Sequence, residues 1–250
     1  MTSISVVTVC FNSARSISQT LDSVAGQRNA VVEHVIVDGL STDKTMEIVR
    51  GHTSGGSLRW ISEADQGIYD AMNKGVALAT GELIGFLNSD DRYTDEHVLS
   101  DIVTAYRSTG CDFVYGDLQM VNRQGRLVRH WRSGAIPPTG LSGSQIPHPT
   151  LFVRRQLLNQ LDPPFDPRYR ISADLKQQLI LINRMRARGT YIPRPLTQMR
   201  TGGTSTRNLS GYLLGWRESA RAYNEVFGGG GGWYTLKKVI SKTRGIRWMG

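Results

Sequence analysis

The sequence predicts an α/β protein built on a parallel sheet, and three observations carry that prediction. Short apolar runs rich in valine, isoleucine and leucine alternate with segments of helical periodicity. Each run is four to eight residues long, the length of a strand buried on both faces. Each ends in a polar turn, and acidic residues gather in those turns. Strand, helix, strand, helix at this spacing requires crossover connections, which place helices on the faces of the sheet.

The elements follow in order. Residues 4–11 form a valine-rich strand bounded by Asn12 and Ser13. Residues 16–25 place Ile17, Leu21 and Val24 at helical spacing. A second strand, 31–37, ends at Asp38-Gly39, and a helix over 41–50 has the capping residues Ser41 and Asp43. A third strand is expected over 58–61. A helix over 68–79 carries Ile68, Ala71, Met72, Val76 and Ala79. A fourth strand, 83–87, ends in Asn88-Ser89-Asp90-Asp91, and a helix over 98–106 leads to a strand starting at 113–115. The second half is less regular. Residues 134–143 read as a long loop, 175–185 and 209–227 as helices, and Gly228 to Gly232 as a flexible linker.

Composition removes several classes. The chain has 250 residues, 39% apolar and 20% charged, which is globular composition. Two cysteines, Cys10 and Cys111, make neither a disulfide scaffold nor a four-cysteine zinc site, and their apolar surroundings predict buried thiols. No run of about 18 apolar residues suggests a spanning helix. The first residues lack a basic segment and a cleavage site, so a secretory leader is not expected, and a cytoplasmic location is. Charge divides unevenly. Residues 1–150 hold 12 basic and 16 acidic side chains, and residues 151–250 hold 18 and 5. The halves therefore face different partners.

Ligands of such sheets bind outside the carboxyl ends of the strands. Asp38, Asp65, Asp90 and Asp91 all fall there, and a cation or a ligand with several donors would relieve their repulsion. An isolated Asp-Asp pair is more simply a polar turn before a helix.

The pair is not isolated. SVVTVCFNS, EHVIVDGLSTDKT, EADQGIYDAMNKGVALATGELIGFLNSDD, YGD, HPTLFVRR, FDPRYRISADLKQQL and GGTS occur in that order. In these segments, over residues 3–225, the chain resembles glycosyltransferase family 2, inverting enzymes of glycosyltransferase A-type fold. The central segment is similar to the branch that builds bacterial exopolysaccharide, of colanic-acid type. Val9 stands where many members carry proline, and the QxxRW motif of processive synthases is missing.

The resemblance implies a mixed, mostly parallel central sheet flanked by helices, with a helical basic C-terminal region. It implies transfer of a sugar from a nucleotide donor (UDP first, GDP or dTDP otherwise) to a saccharide acceptor, expected to be lipid-linked. Asp38 would bind the nucleobase, Val9 and Phe11 would pack near it, and Asp65, Asn73 and Lys74 would line the nucleotide pocket. Asp91 would hold Mg²⁺ or Mn²⁺ and Asp90 the ribose or the metal. Asp174 matches the catalytic base. Asp117, His148, Arg155 and Arg170 are candidates for acceptor or donor-sugar contacts. The implied division is a donor half, 1–116, an acceptor and base half, 117–227, and a tail, 228–250.

Simpler readings stand beside these. Asp38 also suits an Asp-Gly turn, Asp174 a helix N-terminus, Asp117 a turn, His148 a loop, and the arginines a solvated surface. A sugar nucleotidyltransferase or a silent scaffold of the same fold are the rival functions. The first usually shows a glycine-rich basic loop after the first strand, where this chain has FNSARSIS. The tail combines Trp233, Leu236, Ile240 and Trp248 with Lys237, Lys238, Lys242, Arg244 and Arg247. That composition suits the inner-membrane surface or a packed helix with a basic face, and nucleic acid is not the expected partner.

Overall fold

The computed structural model describes residues 2–52, 57–122, 124–201 and 209–244. The GGTS segment and residues 245–250 of the tail lie outside them. The first half follows the expected order: β1 (Ser3–Cys10), α1 (Ile17–Ala25), β2 (Val31–Asp38), α2 (Thr45–Gly51), β3 (Ser57–Ser62), α3 (Ile68–Leu78) and β4 (Leu83–Phe86). Then come β5 (Arg92–Tyr93), α4 (Val98–Thr109), β6 (Phe113–Val121) and β7 (Leu127–Trp131). A 3-10 turn at His148–Thr150 leads into β8 (Phe152–Arg154), α5 (Arg155–Leu158) and α6 (Ala173–Gln178). A π-helical stretch, Leu179–Arg184, continues α6, followed by β9 (Gly189–Arg200), α7 (Leu209–Phe227) and α8 (Gly231–Arg244).

One sheet in the order β3-β2-β1-β4-β8-β6-β9-β5 runs through the molecule, with β7 added to β6. β1, β2, β3 and β4 are mutually parallel. β8 enters antiparallel between β4 and β6, and β9 pairs parallel with β6. The sheet is mixed, as expected, and its parallel character is concentrated in the first half.

Alternation assigns the two faces. On β1, Val7 and Val9 enter one cluster with Met72, Phe86, Phe113 and Leu175, while Ile4 and Val6 enter another with Leu99, Val114 and Phe152. Both cysteines are free and buried. α4 ends where Gly110 takes φ 59° and donates its N–H to Tyr106 O, a left-handed stop that glycine adopts at little cost.

Four expectations change. β7, β8 and β9 were not anticipated. The helix expected over 175–185 starts at Ala173 and widens into π turns after Gln178. The glycine run forms a tight turn in place of a flexible linker. Gly228 and Gly230 have φ of 82° and 84°, and Gly231 opens α8 with its N–H on Asn224 Oδ1 at 2.8 Å. The boundary placed at residue 116 falls inside β6, so the two halves share a strand.

Candidate active site

The carboxyl ends of β1, β2, β3 and β4 build one rim. Gly39 N–H donates to Cys10 O at 2.9 Å and Glu63 N–H to Asp38 O at 3.0 Å, joining the three exits. Asn12 and Leu40 take φ of 50° and 61° there. Left-handed backbone is costly for a branched side chain and concentrates at functional sites. Val9 is buried in β1, whereas Phe11, just past its end, is 62% exposed. A Cβ on Gly39 would meet Asp65 Oδ2 at 2.5 Å and Phe11 Cδ2 at 3.6 Å, so these three residues are in contact around an open aromatic ring.

Asp38 is fully buried. Its Oδ2 accepts from Ser41 N–H at 3.0 Å and Ser62 Oγ at 2.6 Å, and its Oδ1 from Ser41 Oγ and from Cys10 Sγ at 3.6 Å. Asp65 Oδ1 accepts from Gly67 N–H at 2.9 Å. Lys74 donates to Ala64 O at 2.6 Å and pairs with Glu63 at 2.9 Å, so it pins the segment carrying Asp65.

The acidic pair after β4 divides its labour. Asp91 is 1% exposed and accepts from Asn88 Nδ2 at 3.1 Å and Arg200 N–H at 3.2 Å. Burial, then the charge of Asp90, push its carboxyl well above the usual range. Asp90 faces solvent, yet its surroundings desolvate it enough to raise its carboxyl too. Arg200 opposes both shifts. Pairing of Arg92 with Gln198 across β5 and β9 brings that arginine to the pair. The donor set fits a hard divalent cation: Mg²⁺ takes one or two carboxylates and completes its shell with water and substrate phosphate. Asp90 is the outward member of the pair and Asp91 the buried one. Among the described residues no third acidic, histidine or cysteine side chain joins them as a metal cluster.

Asp174 sits in the first turn of α6. Tyr69 OH donates to its Oδ1 at 3.3 Å and Gln145 Nε2 to its Oδ2 at 2.8 Å. Tyr69 stacks on Phe165 at 5.9 Å, and Phe86, at the end of β4, lies 5.1 Å from Phe165. His148 stacks on Phe86 at 4.9 Å and meets Phe165 edge-on at 5.5 Å. Both its ring nitrogens are shielded and without a hydrogen-bond partner, and burial lowers its pKa against the pull of Asp174. The imidazole is therefore neutral at pH 7. This aromatic floor joins Asp174 to the strand that leads into the acidic pair.

Three of the expected residues are held as follows. Arg155 lies on the opposite rim. β8 runs antiparallel to β4 with Arg154 opposite Leu83, and Arg155 Nε donates to Gly81 O at 3.0 Å. Asn73 is committed to the backbone of Phe165, donating to its oxygen at 2.7 Å and accepting from its N–H at 2.9 Å. Asp117 is buried among internal donors: Ser133 N–H at 2.9 Å, Tyr191 OH at 2.6 Å and His130 Nε2 at 3.2 Å. Arg170 is exposed on the segment before Asp174.

Sequence reasoning missed Tyr69, Gln145, Arg200 and Glu218. Glu218, buried on α7, accepts the N–H groups of Arg170, Ile171 and Ser172 at 2.8, 2.8 and 2.9 Å. Tyr69 lay inside a quoted segment, but nothing local marks the others.

The description Glycosyl transferase family 2 matches residues 5–165, ending before Asp174. A PGL/p-HBAD biosynthesis glycosyltransferase of Mycobacterium bovis is 35% identical over 173 residues, 68% of this chain and 66% of that protein. The match thus spans just under two thirds of that relative. TarS of S. aureus, solved with UDP-GlcNAc, superposes with a TM-score of 0.67 at 20% identity, covering 97% of this chain and 72% of that one. A mannosyltransferase of Pyrobaculum calidifontis, solved with GDP-Man and Mn²⁺, gives 0.64 at 16% identity, covering 97% and 74%. Those two likenesses concern the fold, which is the expected A-type α/β arrangement. By the extent of the family match and the identity to its curated relatives, the chain belongs to glycosyltransferase family 2.

Proposed function

We propose that this protein is an inverting glycosyltransferase that moves a sugar from a nucleoside-diphosphate donor to a saccharide acceptor. The observation that carries the reading is the aromatic floor of Tyr69, Phe86, His148 and Phe165, which links Asp174 to the strand that leads into Asp90 and Asp91.

In this reading Phe11 packs on the nucleobase. A base N–H reaches Asp38 by displacing the Ser41 or Ser62 hydroxyl. Asp65 and the Gly39 backbone shape the ribose side of the pocket. Asp90, with Asp91 behind it, would hold Mg²⁺ or Mn²⁺. When bound, the cation neutralises charge developing on the diphosphate leaving group. Arg200 adds a fixed positive charge beside the pair. Asp174 takes the proton of the acceptor hydroxyl on the opposite face of the sugar. Its bonds from Tyr69 and Gln145 orient the carboxylate and leave further lone pairs for that proton. Neutral His148 packs within the aromatic floor on Phe86 and Phe165, beneath the space proposed for the sugar.

UDP is the first candidate donor nucleotide, with GDP and dTDP as alternatives. A lipid-linked acceptor in bacterial surface or exopolysaccharide assembly, at the cytoplasmic face of the membrane, completes the proposal. Among the described residues no helix is long and apolar enough to cross a membrane.

The test is a thermal-shift panel of UDP-, GDP- and dTDP-sugars, with Mn²⁺ and after chelation. One nucleotide class should stabilise the protein by about 2 kcal/mol or more at saturation, and chelation should abolish the shift. No shift with any donor would favour a silent scaffold. Asp174→Asn should keep the donor shift and lower kcat about 100-fold or more.

A further inference from the structure

We propose that the outer face of the α7–α8 hairpin docks on an anionic lipid bilayer and sets the mouth beside Asp174 against it. On α8, Trp233, Leu236 and Ile240 are 64%, 48% and 43% exposed. They recur at helical spacing on one face, while Tyr234 and Lys238 turn inward. Tyr234 stacks on Tyr223 at 4.7 Å, and Lys238 Nζ donates to Ser219 Oγ at 3.0 Å. The neighbouring helix adds exposed Tyr212, Leu213 and Trp216. Two packed helices that each leave a cluster of large apolar side chains in water mark an interaction surface.

Charge selects the occupant. The exposed cation of α8 is Lys237, the sequence adds Lys242 and Arg244 further along the helix, and residues 228–250 contain no aspartate or glutamate. Lys237 Nζ lies 5.5 Å from the Trp233 ring centroid, so a cation and an interfacial aromatic share one exposed site. Basic residues beside exposed tryptophan and leucine suit a headgroup layer with negative charge. A second copy of the chain is disfavoured, because a two-fold contact would bring together two segments that are basic in sequence and contain no acid to pair with.

The hairpin is also coupled to the base. Tyr234 OH donates to Ser144 O at 2.6 Å, and the next residue, Gln145, holds Asp174 at 2.8 Å. A Cβ on Gly143 would fall 2.4 Å from Lys237 Cβ, so this loop lies directly under α8. A bilayer touching α8 therefore lies beside the loop that holds the base. The second half of the proposal, delivery of a membrane-held acceptor, rests on the transferase reading given above.

The experiment is flotation of the full chain with vesicles of phosphatidylcholine alone or mixed with phosphatidylglycerol, without donor or acceptor. Binding should be about tenfold or more tighter to the anionic vesicles and should weaken with salt. The triple variant Trp233→Ser, Leu236→Ser, Ile240→Ser should lose it, and Lys237→Glu should weaken it, with thermal midpoints close to that of the parent. No flotation of the parent, or full flotation of the triple variant, would overturn the proposal. So would a dimer in light scattering that the triple variant dissociates, since a second copy would then own the face. Transfer separates the two claims. The triple variant should be slower with acceptor held in vesicles and unchanged with a soluble acceptor.

Discussion

Glu218 shows how much of the placement of Asp174 comes from far along the chain. Its two oxygens accept three consecutive backbone N–H groups just before Asp174. Glu218→Gln removes one acceptor and should lower kcat about tenfold with donor KM unchanged. A purely structural role would lower the thermal midpoint and leave kcat per folded molecule intact. At the donor side, Gly39→Ala should displace Asp65 and raise the donor Kd about fivefold, measured by titration calorimetry. The acidic residues themselves were legible, because Asp38, Asp65, Asp90 and Asp91 follow strands whose apolar runs are plain. Their hydrogen-bond partners were not. Glu218 sits mid-helix with a charge pattern like any solvated face, and Arg200 reaches the acidic pair only through the pairing of β5 with β9.

Among the elements, β9 was hidden by its own chemistry. Pro193 and Pro195 cannot donate to a ladder, so the run reads as a loop. The sheet absorbs them where the register against β6 shifts around Asp117. β8 is three residues long and carries no periodicity to read. Its direction nevertheless decides which end of HPTLFVRR faces the site: His148 precedes it and Arg155 follows it. The glycine run is legible only in three dimensions. A Cβ on Gly231 would meet Ala220 O at 2.1 Å. Gly231→Ala should therefore destabilise the protein by about 1–3 kcal/mol in denaturant melts, through overpacking at the helix contact. An ordinary flexible linker would tolerate the change.

For the molecule as a whole, buried histidine sets an acid limit. His34 is buried against Thr8 at 2.9 Å, and desolvation lowers its pKa to about 3. The unfolded chain binds this proton below pH about 6.5 and the folded chain does not, so stability falls with pH from there down. At pH 5 the loss from His34 is about 2 kcal/mol, and His148 adds in the same direction. Melts from pH 7.5 to 5 should show the decline, and His34→Gln should flatten it. The parallel half of the fold was readable because its strands and crossover helices alternate locally, whereas the sheet's far side depends on partners distant in sequence. That dependence also has a cost during synthesis. β6 gains its parallel partner, and β5 its sole neighbour in the strand order, when residues 189–200 arrive. Until the ribosome has released that stretch, a nine-residue strand offers an open edge to any other nascent chain. Chains stopped at residue 188 should collect in the insoluble fraction, and chaperones that shield strand edges should matter most for the last quarter of translation.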